Sequence, residues 1–372
     1  MFRKVCILTT VHPVFDTRIF HKEAKTLARA GYGVTLIAQH DKDEVVDGVK
    51  IIALPKPRNR FTRIFGLTWR AFILALRQRA AVYHFHDPEL LPIGLLLKLF
   101  TRAKVIYDVH EDVPKQILTK HWLPAPLRRP LAMLLNVVEK LSARAMDAVV
   151  VATEGIDQKF LGLNPVVVHN YPDLGMFPAS PGAPREGDEK VLVYVGGISR
   201  LRGAIEMVRA LEYLDHIGNL HLNLIGKFEP PSLEKELQEL PGYRRVRFIG
   251  WLQPLEVYEY LKGADIGLVC LHPEPRFVVA WPVKLFEYMA AGLPVVASNF
   301  PLWREIVEGN QCGLCVDPLD PKAIAQAIEY LITHPEEARK MGERGRRAVE
   351  ERYNWEREVQ KLLALYRRVL QA

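Results

Sequence analysis

Residues 9–38 read TTVHPVFDTRIFHKEAKTLARAGYGVTLIA, and the apolar run Val5 to Leu8 stands directly before them. Val5 to Leu8 is fit for a buried strand. Ile19 to Ala30 carries apolar residues at helical spacing, Gly31 stops that helix, and VTLIA opens a second strand. Strand, loop, helix and strand in this order begin a nucleotide-binding type of unit. Yet the connecting loop has no glycine. A dinucleotide fingerprint needs glycines so that the backbone can approach a pyrophosphate at the helix N-terminus. This loop offers His12, Pro13, Phe15, Asp16 and Arg18 instead. Two readings of these side chains stay open: Asp16 caps the helix beginning near Thr17 while Arg18 pairs with Glu23, or they face a ligand.

Outward from this unit the alternation continues. VKIIAL, AVYHFH, AKVIYDVH, AVVVAT and PVVVHN read as buried strands, with helices predicted over Leu90 to Phe100 and Leu127 to Ala145. Such alternation predicts an α/β fold built on a doubly wound parallel sheet. His84, His86, Asp87 and the stretch Asp108 to Asp112 stand at strand C-terminal ends, where open α/β sheets bind ligands. NYPDLGMFPASPGAPREGDEK, residues 170–190, then interrupts the pattern as a linker. Past it KVLVYVGG, LHLNLIG, VRFIGW, ADIGLVCL and LPVVAS restart it as a second sheet. The expected domains are 1–170 and 171–354, with an amphipathic helix over 355–372 returning to pack on the first. A chain of 372 residues is long enough for two such cores.

Hydrophobic residues at 49% and charged residues at 25% exclude a disordered chain. The net charge of +7 is uneven: up to residue 180 there are 25 Lys+Arg against 16 Asp+Glu, and beyond it 25 against 27. The excess concentrates over residues 55–80, where arginines interleave with Phe61, Phe65, Trp69 and Phe72. This suits a helix lying on an anionic membrane surface, and equally an amphipathic helix packed on its own core with a solvated basic face. No DNA- or RNA-binding motif accompanies the patch, so nucleic acid is not expected as a partner. Neither a spanning segment nor a signal-peptide pattern is found, which predicts a cytoplasmic protein, at most peripheral at the inner face of the plasma membrane. Cys312 and Cys315 form a lone C-G-L-C without a second ligand pair, and the four cysteines read as structural thiols.

Chemistry concentrates in RFVVAWPVKLFEYMAAGLPVVASNFP, residues 276–301. Pro282 suits a helix start, a helix is predicted from about Val283 to Ala291, and Gly292 ends it. Its N-terminus presents backbone N–H groups and Lys284, a combination that binds a diphosphate. Glu287 lies close to one turn beyond Lys284 and can accept ribose hydroxyls; a capped structural helix with a solvated Lys–Glu pair is the alternative. VYVGGISRLRG places Gly196 and Gly197 after a strand and Arg200 and Arg202 before a helix. Here are the small residues and cations that the first loop lacks.

These segments, with VVVHNYPD, YDVHED and ERYNWEREVQKLLALY, resemble the retaining family 4 glycosyltransferases of the GT-B fold over essentially the whole chain. The resemblance implies two Rossmann-like domains facing a central cleft, a nucleotide-sugar donor (UDP- or GDP-linked) held by the second, and a glycan or lipid-linked acceptor held by the first. It implies no cofactor and no metal; D-K-D at Asp41 to Asp43 matches a metal-binding pattern formally but falls in a turn. Donor contacts implied are Gly196, Gly197, Arg200, Arg202, Lys284, Leu285 and Glu287, with His110 near the transferred sugar. His110, Arg202, Lys284 and Glu287 are the implied catalytic group, and His12, Asp16, Arg18, His86 and Asp112 the expected acceptor side. Two positions depart from the pattern: Val279 stands where the first of two family glutamates belongs, and Gly197 where an arginine is usual. A hexosyl transfer with retention, by front-face attack, is the implied reaction. A GT-B nucleotide-sugar epimerase and a non-catalytic nucleotide-sugar-binding or partner protein are the alternatives.

Overall fold

The computed structural model describes residues 3–110, 112–118, 123–177 and 188–371. Glu111 and the central part of the predicted linker, 178–187, lie outside the described residues. The chain divides into two compact units, one of residues 1–170 with 356–372, the other of residues 171–355.

The first unit is an eight-stranded sheet built from β1 (Lys4–Pro13), β2 (Gly33–Gln39), β3 (Glu44–Val46), β4 (Val49–Leu54), β5 (Val82–Phe85), β6 (Lys104–Val109), β7 (Ala148–Val151) and β8 (Val166–Val167). Their order is β3-β4-β2-β1-β5-β6-β7-β8, and every pairing is parallel except β3 with β4. The run Val5–Leu8 is buried in β1 because its neighbours cover both sheet faces, which is why it shows no alternation. Strand order reverses at β1, flanked by β2 and β5, and this switch point sets the crevice at the strand C-termini.

The second unit holds β9 (Lys190–Val195), β10 (Leu220–Ile225), β11 (Val246–Gly250), β12 (Ile266–Val269), β13 (Val295–Ser298) and β14 (Gly313–Val316). The order is β11-β10-β9-β12-β13-β14, all parallel, with the switch point at β9. Strand β14 is an addition to the sequence reading. It starts just after Cys312 and takes in the rest of the C-G-L-C motif, and Gly313 is required there because a Cβ would lie 2.1 Å from the Val295 carbonyl oxygen. All four cysteines are free thiols.

Two local expectations need correction. The predicted helix over Ile19 to Ala30 is a π-helical turn, Thr17–Ala24, running into a short α-helix, Lys25–Arg29. Its first turn is widened because the N–H groups of Phe20 and His21 both donate to the Asp16 carbonyl, at 3.0 and 3.2 Å. The strand predicted in PVVVHN shrinks to Val166–Val167, since the His169 N–H turns to the Glu358 carboxylate at 2.9 Å. That contact belongs to the last helix, Trp355–Gln371. Its Leu362, Leu365, Tyr366 and Val369 are buried, and the Tyr366 hydroxyl meets His84 Nδ1 at 2.9 Å.

Candidate active site

In the second unit the β9 strand delivers Gly196 at its C-terminal end with φ 123°, a conformation that favours glycine. A side chain there would also collide: its Cβ would lie 3.0 Å from Lys284 Nζ and 3.4 Å from an Arg202 nitrogen. Two cations from different elements therefore converge on one stretch of bare backbone. Arg202 ends a 3₁₀ turn, Arg200–Arg202, and Lys284 lies in the first turn of the helix Val283–Ala290, which directly follows Pro282. Lys284 Nζ is buried and has no hydrogen-bond partner; it rests 3.8 Å from the centroid of the Tyr194 ring. Burial, then the charge of Arg202, pushes the Lys284 pKa well below the ordinary lysine range, against the pull of Glu287. A buried ammonium beside a second cation is a hole shaped for an anion.

Tyr194 and Glu229 complete this corner, and sequence reasoning missed both. The Tyr194 hydroxyl donates to the Gly197 carbonyl at 2.7 Å, and a Cβ on Gly197 would lie 3.1 Å from the Glu229 carboxylate. Tyr194 was visible only as one apolar position of a strand, and its role depends on which sheet face it occupies. Arg200 turns away to pair with Glu236 on the surface. The Leu285 side chain is fully buried in the core, so only its backbone can meet a ligand. Glu287 is half-buried, close to one turn beyond Lys284. Val279 is 54% exposed.

In the first unit the switch point answers what the glycine-free loop contacts. The Asp87 carboxylate, just after β5, accepts the N–H of Thr10 at 2.6 Å, that of Val11 at 3.2 Å and the Thr9 hydroxyl at 2.9 Å. His12 Nδ1 lies 3.0 Å from its other oxygen. The loop amides thus cradle an anion that the protein itself supplies. Burial opposes ionisation of Asp87, but His12 and the Thr10 amide outweigh it and hold the carboxyl below its usual range.

Behind this loop lies a buried ionic network. Arg18 donates to both oxygens of Asp108 at 3.1 and 2.9 Å, to the Val168 carbonyl at 2.6 Å, and pairs with Glu23 at 2.8 Å. His86 Nδ1 meets His110 Nε2 at 2.9 Å, and His110 lies 3.4 Å from Asp108. Burial lowers the His110 pKa to about 4 despite Asp108, so its imidazole is neutral at pH 7. The Arg18 charge overrides burial at Asp108 and keeps it ionised, whereas burial and the Asp108 charge push Glu23 well above the carboxylate range. Arg18 and His86 are therefore network members rather than outward acceptor contacts, which corrects their expected role. Asp16 is the helix cap, accepting from the Arg18 and Ile19 N–H groups at 2.8 and 2.9 Å. Asp112 pairs with Lys159 at 3.3 Å. Glu23, His86, Asp108 and His110 are of metal-ligating type and place ligand atoms within 4.8 Å of one another. Arg18 already supplies the cation between the two carboxylates, so the set fits a charge-balanced network better than a metal centre.

Comparison with known proteins accounts for both units. Residues 17–170 match the model of the glycosyl transferase 4-like domain, and residues 179–348 that of the glycosyl transferases group 1. A glycogen synthase of Mycobacterium tuberculosis is 24% identical over 91% of this chain and 87% of its own. An MMP α-(1→4)-mannosyltransferase of Mycolicibacterium hassiacum is 22% identical over 77% of this chain and 70% of its own. Among solved structures, sucrose-phosphate synthase of Thermosynechococcus elongatus superposes with a TM-score of 0.78 at 22% identity, covering 99% of each chain. Anabaena HepE, solved with UDP and glucose, superposes with a TM-score of 0.72 at 15% identity, covering 98% of this chain and 99% of its own. The chain belongs to the group 1 glycosyltransferases of family 4 type, with the GT-B fold.

Proposed function

We propose that this glycosyltransferase moves a hexose-type sugar from a UDP- or GDP-linked donor to a hydroxyl of a glycan or lipid-linked glycan, with retention and without a metal. The observation that carries the reading is the unpartnered ammonium of Lys284, buried beside Arg202 and the open backbone of Gly196. A diphosphate satisfies such a hole, and its growing charge as the sugar departs is stabilised by the same two cations and the helix N-terminus. Two positive side chains there take the part that a divalent cation plays elsewhere. HepE, a neighbour in fold, has been solved with UDP-glucose, which supports a nucleotide sugar as the donor.

The first unit supports front-face attack. Among the described residues, Asp108 beside His110 is engaged by Arg18, as is Glu23, and Asp87, which His12 meets, is engaged by the β1 loop. None of the three is poised as a nucleophile. The proton of the incoming hydroxyl passes to the departing diphosphate, while neutral His110 acts as a hydrogen-bond partner of the sugar and not as a base. One position favours a second reading. Val279 offers no hydrogen bond where the family places a glutamate, as expected of a protein that binds donor without transferring it.

A panel of UDP- and GDP-sugars with chelator present tests the assignment by thermal shift. One nucleotide sugar at a hundred times its dissociation constant stabilises by about 2.7 kcal/mol, and Arg202→Ala abolishes most of that gain. An unchanged shift in Arg202→Ala removes the diphosphate assignment. Nucleotide release that depends on added acceptor separates transfer from donor binding alone.

A further inference from the structure

The first unit carries a surface that the proposed transfer does not use. The π-helical turn Thr62–Leu67 and the helix Thr68–Gln78 bury Leu67, Ala71, Phe72 and Ala75, and leave Phe61, Phe65 and Trp69 outside, Phe61 at 77% exposure. The helix Leu91–Phe100 packs between that helix and a longer one, Ala125–Ala145. It leaves Leu99 and Phe100 outside. The long helix exposes Met133, Leu134, Val137 and Leu141, a stripe at helical spacing. Buried residues of all three helices join one core, so their outward faces form one layer on the same side of the sheet. Isolated exposed apolar side chains are ordinary; a row of three helices each displaying them marks an interaction surface.

The charge on this layer is one-sided. Between Gly48 and Asp87 the sequence has eight Lys+Arg and no acidic residue. In the three helices the lone carboxylate is Glu139, which is buried and bonded to Tyr107 and Lys159. Arg70, Arg77, Arg129 and Arg144 are exposed on the same elements, while Lys98 pairs with Asp147 at 2.6 Å. A second copy is a poor occupant, because an isologous contact would set the four exposed arginines against one another while the helices themselves offer no exposed carboxylate. An anionic bilayer answers both features: acyl chains receive the apolar side chains and headgroup phosphates the cations.

We infer that the outward faces of these three helices are a docking surface for an anionic phospholipid bilayer. A direct chain of contacts ties this surface to the β1 loop. Arg63 donates to Glu89 at 3.1 Å, and Glu89 accepts the hydroxyl of Thr10 at 2.7 Å, beside the Asp87 carboxylate. The surface therefore abuts the strand C-termini, and the acceptor it suits is a hydroxyl carried on a membrane lipid. This deepens the acceptor side of the proposed transfer and rests on that reading only there.

The test is co-sedimentation of the full chain with phosphatidylcholine vesicles, with and without about 30% phosphatidylglycerol, in the absence of any nucleotide sugar. Wild type is expected to bind the anionic vesicles about tenfold more tightly than neutral ones, and less so as salt is raised. Leu134→Glu with Leu141→Glu, and separately Arg70→Glu with Arg77→Glu, should each weaken binding about tenfold while the thermal midpoint holds, since all four side chains are exposed. No preference for anionic vesicles, or variants that bind like wild type, overturns the inference. So does a wild-type dimer that the Leu134/Leu141 variant dissolves. The donor thermal shift on the same preparations keeps the two questions apart: vesicle binding without any donor shift strikes the donor reading, and a donor shift without vesicle binding strikes the surface.

Discussion

Lys284 is where a single residue carries most of the function. A buried lysine amino group without an acceptor costs folding stability, whether it holds its proton over the Tyr194 ring or gives it up. Lys284→Met keeps the volume and removes the charge, so the ligand-free protein should melt a few degrees higher, by roughly 2–4 °C per kcal/mol recovered. The same substitution should abolish the response to nucleotide sugar; a lower midpoint with donor binding intact would show that the ammonium is satisfied in the fold. The depressed pKa adds a pH dependence. Between that value and the ordinary lysine pKa near ~10.4, the folded protein holds fewer protons than the unfolded chain, so ligand-free stability rises with pH across this window. A bound diphosphate restores the charge and draws in a proton. Calorimetric titration of donor in two buffers of unequal ionisation heat, at a pH inside the window, should give unequal apparent enthalpies, and equal ones would mean that Lys284 is charged beforehand.

At the scale of elements, the β1 loop shows how a Rossmann-like unit manages without its glycines. Its amides point at the switch point as in a nucleotide-binding unit, but Asp87 fills the position from within. Asp87→Asn halves the acceptor capacity and removes the charge that His12 and the amides surround. It should cost about 2–3 kcal/mol in urea unfolding at pH 7. Because the folded pKa is depressed, this contribution is fully present above the ordinary aspartate value and fades as pH falls toward the folded one, so the gap between wild type and variant should narrow in acid. A difference that grows in acid would contradict the assignment. The missing glycine was legible in residues 9–18, and so was the capping reading of Asp16. Asp87 as the anchor was not, since it lies 77 residues from Thr10 and only the parallel pairing of β1 with β5 brings them together.

For the whole molecule, the C-terminal helix shows what long-range closure contributes. Leu362, Leu365, Tyr366 and Val369 are buried on the first unit, although the intervening chain forms the second. Tyr366→Phe leaves His84 Nδ1 without its hydroxyl partner and should cost about 1–2 kcal/mol by chemical denaturation. Deletion of residues 356–372 should cost far more, removing several core side chains at once, and is expected to abolish cooperative unfolding of the first unit. A truncated chain that unfolds like wild type would show the helix to be dispensable. The amphipathic spacing of this helix was readable from its own residues. Its return to the first unit was likewise an expectation of the sequence; the partners it meets there, His84 among them, stand more than 280 positions away in the chain.

Local pattern alone determined the α/β class, the second sheet past the linker, and the placing of Lys284 in the first turn of a helix with Glu287 close to one turn on. These follow from periodicity and capping, which are properties of consecutive residues. Tertiary structure decided that the Lys284 nitrogen is buried without a hydrogen-bond partner, that Arg18 turns inward to Asp108 and Glu23, and that three separate helices join their exposed faces into one surface. The physical reason is the same in each case. Burial and pairing depend on which strands become neighbours in a parallel sheet, and strand order is set by the packing of the whole unit rather than by any segment within it.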